Sequence, residues 1–207
     1  MSILFTSGAT VTFRPFLDEI VTVSFLLSLQ KSGFSTVALQ YGNETNPDTG
    51  SKVSKEYFSQ LLADRQIVQH LDFELVNETN DKSVTVFRSP TLTLQVFGFS
   101  DDIGSYIRSA DLVVSHAGTG SILDTLRLKK PLIVVTNESL MDNHQAEIAA
   151  RFEKEKYLAK VSVLELAQGM LRDKIGRWKN GDLHFELLPE PPAGVLGHVI
   201  SEELCGL

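Results

Sequence analysis

The sequence predicts an α/β fold built on a doubly wound, mostly parallel sheet. Three observations carry that prediction. Short, wholly apolar runs such as Leu112–Val114 and Leu132–Val135 read as strands buried on both faces. Stretches with apolar residues at helical spacing alternate with them. Glycine or polar clusters follow each run, where strand passes to helix. Alternation of this kind means βαβ units with right-handed crossovers.

Taken in order, Ile3–Ser7 is a first strand ending at Gly8. Phe16–Lys31 carries a helical apolar stripe stopped by Gly33. Thr36–Gln40 is a second strand, closed by Gly42 and followed by a polar loop over 43–51. Val53–His70 reads as one helix and Phe73–Val76 as a strand; a polar loop covers 77–82. Val84–Phe97 is rich in β-formers but contains Pro90, which divides it into two strands. Gly98-Phe99-Ser100 makes a turn, with Ser100 as the cap of a helix over 101–110. Then come the strand Leu112–Val114, the helix Ser121–Leu128, the strand Leu132–Val135, and helices over 143–156 and 164–172. From Gly176 onward, with Pro189, Pro191 and Pro192, the chain reads as extended with a short last helix. The boundaries drawn are therefore a domain over 1–175 and a tail over 176–207.

A chain of 207 residues is long enough to close a core without disulfide or metal. One cysteine, Cys205, cannot build a disulfide framework or a structural zinc site, which suits a reducing compartment. The net charge of −7 and the lack of a basic stripe argue against a dedicated nucleic-acid binder. The first ten residues lack the charged start of a signal peptide. The longest apolar stretch, Ile20–Leu29, is too short to cross a bilayer, so the expectation is a soluble, cytoplasmic chain.

In doubly wound sheets ligands bind beyond the carboxyl ends of the strands. Three strand ends stand out. Ser7-Gly8-Ala9-Thr10 is made of small residues that let backbone amides approach a ligand, or that simply make a tight turn. The second runs Asp111-Leu-Val-Val-Ser-His-Ala-Gly-Thr-Gly-Ser121. Here a buried strand enters Gly118-Thr119-Gly120 and then a helix, whose free N–H groups and positive dipole end suit a diphosphate. It is not a P-loop, and Leu123 stands where a dinucleotide fingerprint has its third glycine.

Asp124, one turn further on, can accept hydrogen bonds from ribose hydroxyls or stabilise the helix dipole. His116 can be protonated beside a diphosphate, accept a proton, or fix the loop by hydrogen bonds. The third strand end, Thr136–Gln145, gathers polar side chains. Asp142 or Asn143 can cap the following helix, and Asn143 and Gln145 suit sugar hydroxyls and an acetamide. A His116/His144 pair lacks any third ligand at metal-site spacing, so no metal is expected. No cofactor is expected either.

Together these residues resemble a known family. The run from Gly98-Phe99 through Asp111–Asp124 to Lys130-Pro-Leu-Ile-Val-Val and Leu140-Met-Asp-Asn-His-Gln145 is similar to the catalytic subunits of the two-subunit UDP-N-acetylglucosamine transferases of dolichol-linked oligosaccharide synthesis. Ser7–Phe13 and Leu39-Gln-Tyr-Gly42 fit the first two strand ends of that family. The resemblance implies the C-terminal, nucleotide-sugar-binding half of a GT-B glycosyltransferase. It also implies a membrane-anchored partner that holds the lipid acceptor, and a heterodimer peripheral to the cytosolic face of the endoplasmic reticulum.

By residue, the resemblance implies that Gly8 and Thr10 approach the donor diphosphate and that Phe99 and Ser100 flank the uracil. His116, Gly118, Thr119 and Gly120 form the phosphate loop. Asp124 stands where relatives often have a glutamate holding the ribose. Asn143, His144 and Gln145 contact the sugar. His116 is the candidate catalytic residue. A non-catalytic interaction protein on the same fold is the alternative. An NAD-dependent enzyme is disfavoured by the missing third glycine.

Overall fold

The computed structural model describes residues 1–8, 10–76, 84–137 and 143–189, with the side chains of 143–146 left aside. Eight strands form one sheet: β1 (Ser2–Thr6), β2 (Thr36–Gln40), β3 (Glu74–Val76), β4 (Val84–Arg88), β5 (Thr93–Phe97), β6 (Leu112–His116), β7 (Leu132–Thr136) and β8 (Ala159–Ser162). Their order is β3-β4-β5-β2-β1-β6-β7-β8. The pairs from β5 to β8 are parallel, and β4 is antiparallel to both of its neighbours. The chain first builds outward from β1 on one side, then returns to start β6 on the other. Strand order thus reverses between β1 and β6, which sets the crevice where this architecture receives ligands.

Helices α1 (Arg14–Ile20), α2 (Val23–Lys31), α3 (Val53–Asp64), α4 (Ile67–His70), α8 (Val163–Ala167) and α9 (Met170–Asn180) contribute to the larger core. Phe5 of β1 anchors it, with ring centroids 6.2 Å from Phe16 and 5.7 Å from Phe25. Helices α5 (Ile103–Ser109), α6 (Thr119–Arg127) and α7 (Asn143–Lys154) supply the second core on the other face, around Leu4, Phe97, Val113 and Val134.

The helices differ from expectation at four places, each for a local reason. The helix read over Phe16–Lys31 is two. Thr22 leaves helical geometry (φ −128°, ψ 148°), and its hydroxyl accepts the Phe25 N–H as the cap of α2. The helix read over Val53–His70 breaks at Gln66, which is left-handed with φ 48°. Asp102, not Ser100, caps α5: its carboxylate accepts the Ser105 N–H at 3.0 Å, while the Ser100 hydroxyl accepts the Asp102 N–H. The stretch over 164–172 is α8 and the start of α9, separated by left-handed Gly169.

Helix α9 runs through residue 175, where the domain boundary was drawn, and on to Asn180. Leu171 and Ile175 are buried, and Trp178 stacks on Phe34 with centroids 6.3 Å apart. Gly181, left-handed, ends it, and the Asp182 N–H returns to the Arg177 carbonyl at 2.8 Å. Pro90 sits as expected between two strands, in a turn closed by Ser89 N–H to Leu92 carbonyl at 2.9 Å. Strand β8 was not foreseen. Its Lys160 N–H donates to the Glu153 carboxylate at 2.8 Å. The loop read over 77–82, the Asp142 cap and the last helix lie outside the described residues, and the capping side chain of Asn143 lies outside the described side chains. Among the described residues no helix is long and apolar enough to cross a membrane.

Arg65, just after α3, fastens α1 to the rest. Its Nη1 donates to the carbonyls of Asp18 (2.5 Å) and Val21 (2.8 Å), the last turn of α1. Asp18 in turn accepts from the Tyr57 hydroxyl at 2.8 Å. Arg65→Ala is therefore expected to destabilise the protein by about 1.5–3 kcal/mol, the range for hydrogen bonds to a charged donor. Asp18→Asn, which weakens only a half-exposed ion pair, is expected to cost less than about 1 kcal/mol. Urea denaturation of both variants measures the difference.

Candidate functional site

The crevice predicted by the strand order is present and built from two loop ends. At β1, Ser7 is buried, and its N–H and hydroxyl both donate to the Gln40 carbonyl, at 3.1 and 2.9 Å. Gly8 follows with φ +87°, a left-handed conformation that favours glycine. At β6, the Thr6 hydroxyl donates across the strand pair to Ser115 Oγ at 2.8 Å, and Ser115 donates onward to the His116 carbonyl at 2.9 Å. This buried relay locks the two strand ends in register.

The His116 ring fills the gap between the loops. A Cβ added to Gly8 would lie 3.1 Å from His116 Nε2, and one added to Gly118 only 2.4 Å from the same atom. Gly118 has ordinary extended backbone angles (φ −68°, ψ 129°), so space and not backbone strain requires glycine there. His116 Nδ1 is buried without a hydrogen-bond partner among the described residues. Burial pushes the imidazole pKa down, and the nearby Thr6 backbone opposes this more weakly.

Helix α6 starts directly after Gly118. No side chain caps it and its first turn holds no acidic residue, so its first N–H groups face outward with the positive end of the dipole. A Cβ on Gly120 would meet nothing within 4 Å. Asp124 is exposed one turn along. Gly8, Thr10, His116, Gly118 and Asn137 share the wall of one cavity of about 280 Å³. Phe99 and Ser100 line a second, of about 660 Å³, between the ends of β2 and β5. Phe99 is 47% exposed there. The structure thus gathers Gly8, Thr10, His116 and Gly118 in one place and sets Phe99 and Ser100 two strands away along the same edge. Asn143, His144 and Gln145 begin α7 after β7, and their side chains are outside the description.

The second cavity also carries residues that motif reading passed over: Glu44, Lys52 and Lys55. Glu44 lies in what reads as an ordinary polar loop, Lys52 just after it and Lys55 in the first turn of α3, and no spacing marks them. Among the described residues no cluster of His, Cys, Asp and Glu could hold a metal ion.

Residues 2–177 match the glycosyltransferase family 28 C-terminal domain. The chain belongs to that family. It is 41% identical over 208 residues to the UDP-N-acetylglucosamine transferase subunit ALG13 of Debaryomyces hansenii, covering 98% of both chains. It is 36% identical over 154 residues to the subunit of that name from Saccharomyces cerevisiae, covering 74% of this chain and 73% of the other. The NMR solution structure of an ALG13 protein is similar with a TM-score of 0.62 at 29% identity, covering 93% of this chain and 92% of that one. MurG of Acinetobacter baumannii shares the fold alone, with a TM-score of 0.52 at 13% identity. It is matched over 97% of this chain but only 48% of its own. The family 28 domain described here corresponds to the C-terminal half of a GT-B glycosyltransferase.

Two expectations follow from the wedged histidine. Gly118→Ala must displace the His116 ring and is expected to cost about 1–3 kcal/mol. In a His116→Ala background the same change is expected to cost far less, which a double-mutant cycle by urea denaturation reads directly. The second concerns pH. His116 titrates below the free imidazole value of 6.5 in the folded chain, so the unfolded chain takes up its proton first. The stability of keeping the ring neutral is complete above pH 6.5 and is lost as pH falls below it. Melting temperatures of wild type and His116→Gln across that range are expected to diverge at neutral pH and converge on the acid side.

Proposed function

We propose that this chain is the donor-binding subunit of an inverting transferase. It moves N-acetylglucosamine from UDP-N-acetylglucosamine to N-acetylglucosaminyl-diphosphodolichol, forming a β-1,4 bond, in complex with a membrane-anchored, acceptor-binding partner. The observation that carries the reading is the meeting of Gly8, His116 and the uncapped start of α6 at the strand-order reversal. It is supported by family 28 membership and by relatives named as UDP-N-acetylglucosamine transferase subunits.

In this reading the diphosphate lies against Gly8, Thr10, Gly118, Thr119 and Gly120. Backbone N–H groups and the helix dipole there would stabilise charge as it develops on the leaving UDP. The acceptor hydroxyl attacks the anomeric carbon while the bond to the β-phosphate oxygen breaks, and UDP leaves with the bonding electrons. His116 is the catalytic group this chain offers. Burial keeps it neutral in the free chain, and a neighbouring diphosphate favours its charged form, so it can take up a proton as the reaction proceeds. Phe99 and Ser100 flank the uracil, Asp124 accepts from the ribose hydroxyls, and Asn143, His144 and Gln145 face the sugar. The partner brings the complex to the cytosolic face of the endoplasmic reticulum, and in this reading the tail over 176–207 docks on it.

The test is transfer of labelled N-acetylglucosamine from its UDP form to a diphospholipid bearing one N-acetylglucosamine. The chain is assayed alone and with membranes depleted of their own soluble subunit. Activity only in the presence of membranes is expected. Absence of transfer with the partner shown to be present overturns the reading. Asp124→Ala is expected to lower kcat/KM for the donor by about ten- to 150-fold, which corresponds to roughly 1.5–3 kcal/mol. Unchanged kinetics in that variant would remove Asp124 from the site.

A further inference from the structure

The loop from Ser7 to Phe13 carries two of the proposed diphosphate contacts, and among the described residues it is fastened near its ends. Among the described residues no backbone hydrogen bond holds Gly8, Thr10 or Val11. One anchor is Ser7 on the Gln40 carbonyl. The other is a set of three residues, Thr12, Glu44 and Ser54. The Thr12 N–H donates to Glu44 Oε2 at 2.8 Å. Thr12 Oγ1 and Ser54 Oγ share a buried hydrogen bond of 2.8 Å. Ser54 Oγ also accepts the Glu44 N–H at 2.9 Å, closing the triangle.

Thr12 and Ser54 are 5% and 1% exposed. Glu44 is half-buried, at the wall of the larger cavity. The Thr12 side chain and amide hold its carboxyl below the usual carboxylate range. Room for the triangle is kept by Gly42, where a Cβ would lie 3.0 Å from Ser54 Oγ and 3.5 Å from the Gly8 carbonyl oxygen. The loop after β2 is therefore built against the loop after β1, and a carboxylate from one fixes an amide of the other.

We propose that Glu44 is a positioning residue for the donor: with Ser54 and Thr12 it fixes the loop of Gly8 and Thr10 in the conformation that receives the nucleotide diphosphate. The inference rests on the donor reading given above. Glu44 touches no reacting atom. A carboxylate facing a diphosphate directly would repel it, but one that accepts an amide behind the loop orders the loop without that penalty. A loop free to sample other shapes binds more weakly in proportion to the fraction of time it is correctly shaped.

The experiment compares wild type, Glu44→Ala and Glu44→Gln in the membrane-reconstituted transfer assay, varying UDP-N-acetylglucosamine. Thr12 amide exchange is followed by NMR on the same chains. Glu44→Ala is expected to raise KM for the donor about tenfold with kcat and melting temperature nearly unchanged, and to speed Thr12 exchange. Glu44→Gln keeps an oxygen for the Thr12 N–H and is expected to restore most of both. A Glu44→Ala chain with wild-type KM overturns the inference alone. So does loss of kcat in step with melting temperature, which marks a merely structural role. A wild-type chain that transfers nothing overturns the donor reading, and this inference with it.

Discussion

The contact on which the site depends is the seam between β1 and β6. These strands are far apart in sequence, and they sit where the order of the sheet reverses. The Thr6–Ser115 hydroxyl bond and the His116 ring beyond it join the seam at its carboxyl end. Glycine is required there on both strand ends, at 118 by the bulk of that ring and at 8 by a left-handed backbone. The geometry leaves a concave edge lined by backbone and one imidazole, beside a helix whose first N–H groups are left uncapped. The proposed diphosphate contacts grow from that arrangement.

The remaining architecture keeps the seam still. Aromatic packing around Phe5 fixes β1 from below. Arg65 pins the end of α1 through two carbonyls, so the helix that follows the Gly8 loop cannot drift. The Thr12–Glu44–Ser54 triangle fixes the same loop from the β2 side. The loop is thereby held at both of its ends, a division of labour common to sites in which rigid elements carry short functional loops.

The sequence was most readable where local chemistry decides structure. Leu112–Val114 and Leu132–Val135 are so uniformly apolar that burial on both faces is the only economical outcome, and they are strands. Gly8, His116 and Gly118 stand out in the sequence because they lie at the carboxyl ends of short apolar runs. Thr22 and Gln66 do not, because each interrupts a stripe of apolar residues that continues in helical phase on both sides. Strand β8 is four residues long with a lysine inside it, and only pairing with β7 makes it a strand. Glu44 was invisible for a different reason. Its partners lie 32 residues before it and 10 after it, and nothing short of the folded chain brings Thr12 and Ser54 together.

One detail at the far edge of the sheet bears on solubility. Among the described residues strand β8 has no neighbour beyond it, yet its Lys160 N–H already donates to the Glu153 carboxylate. A foreign strand adding there would have to expel a negative charge from the amide it sought to pair with. That edge of the sheet is thus guarded by charge, so it offers little template for runaway stacking of one molecule on the next.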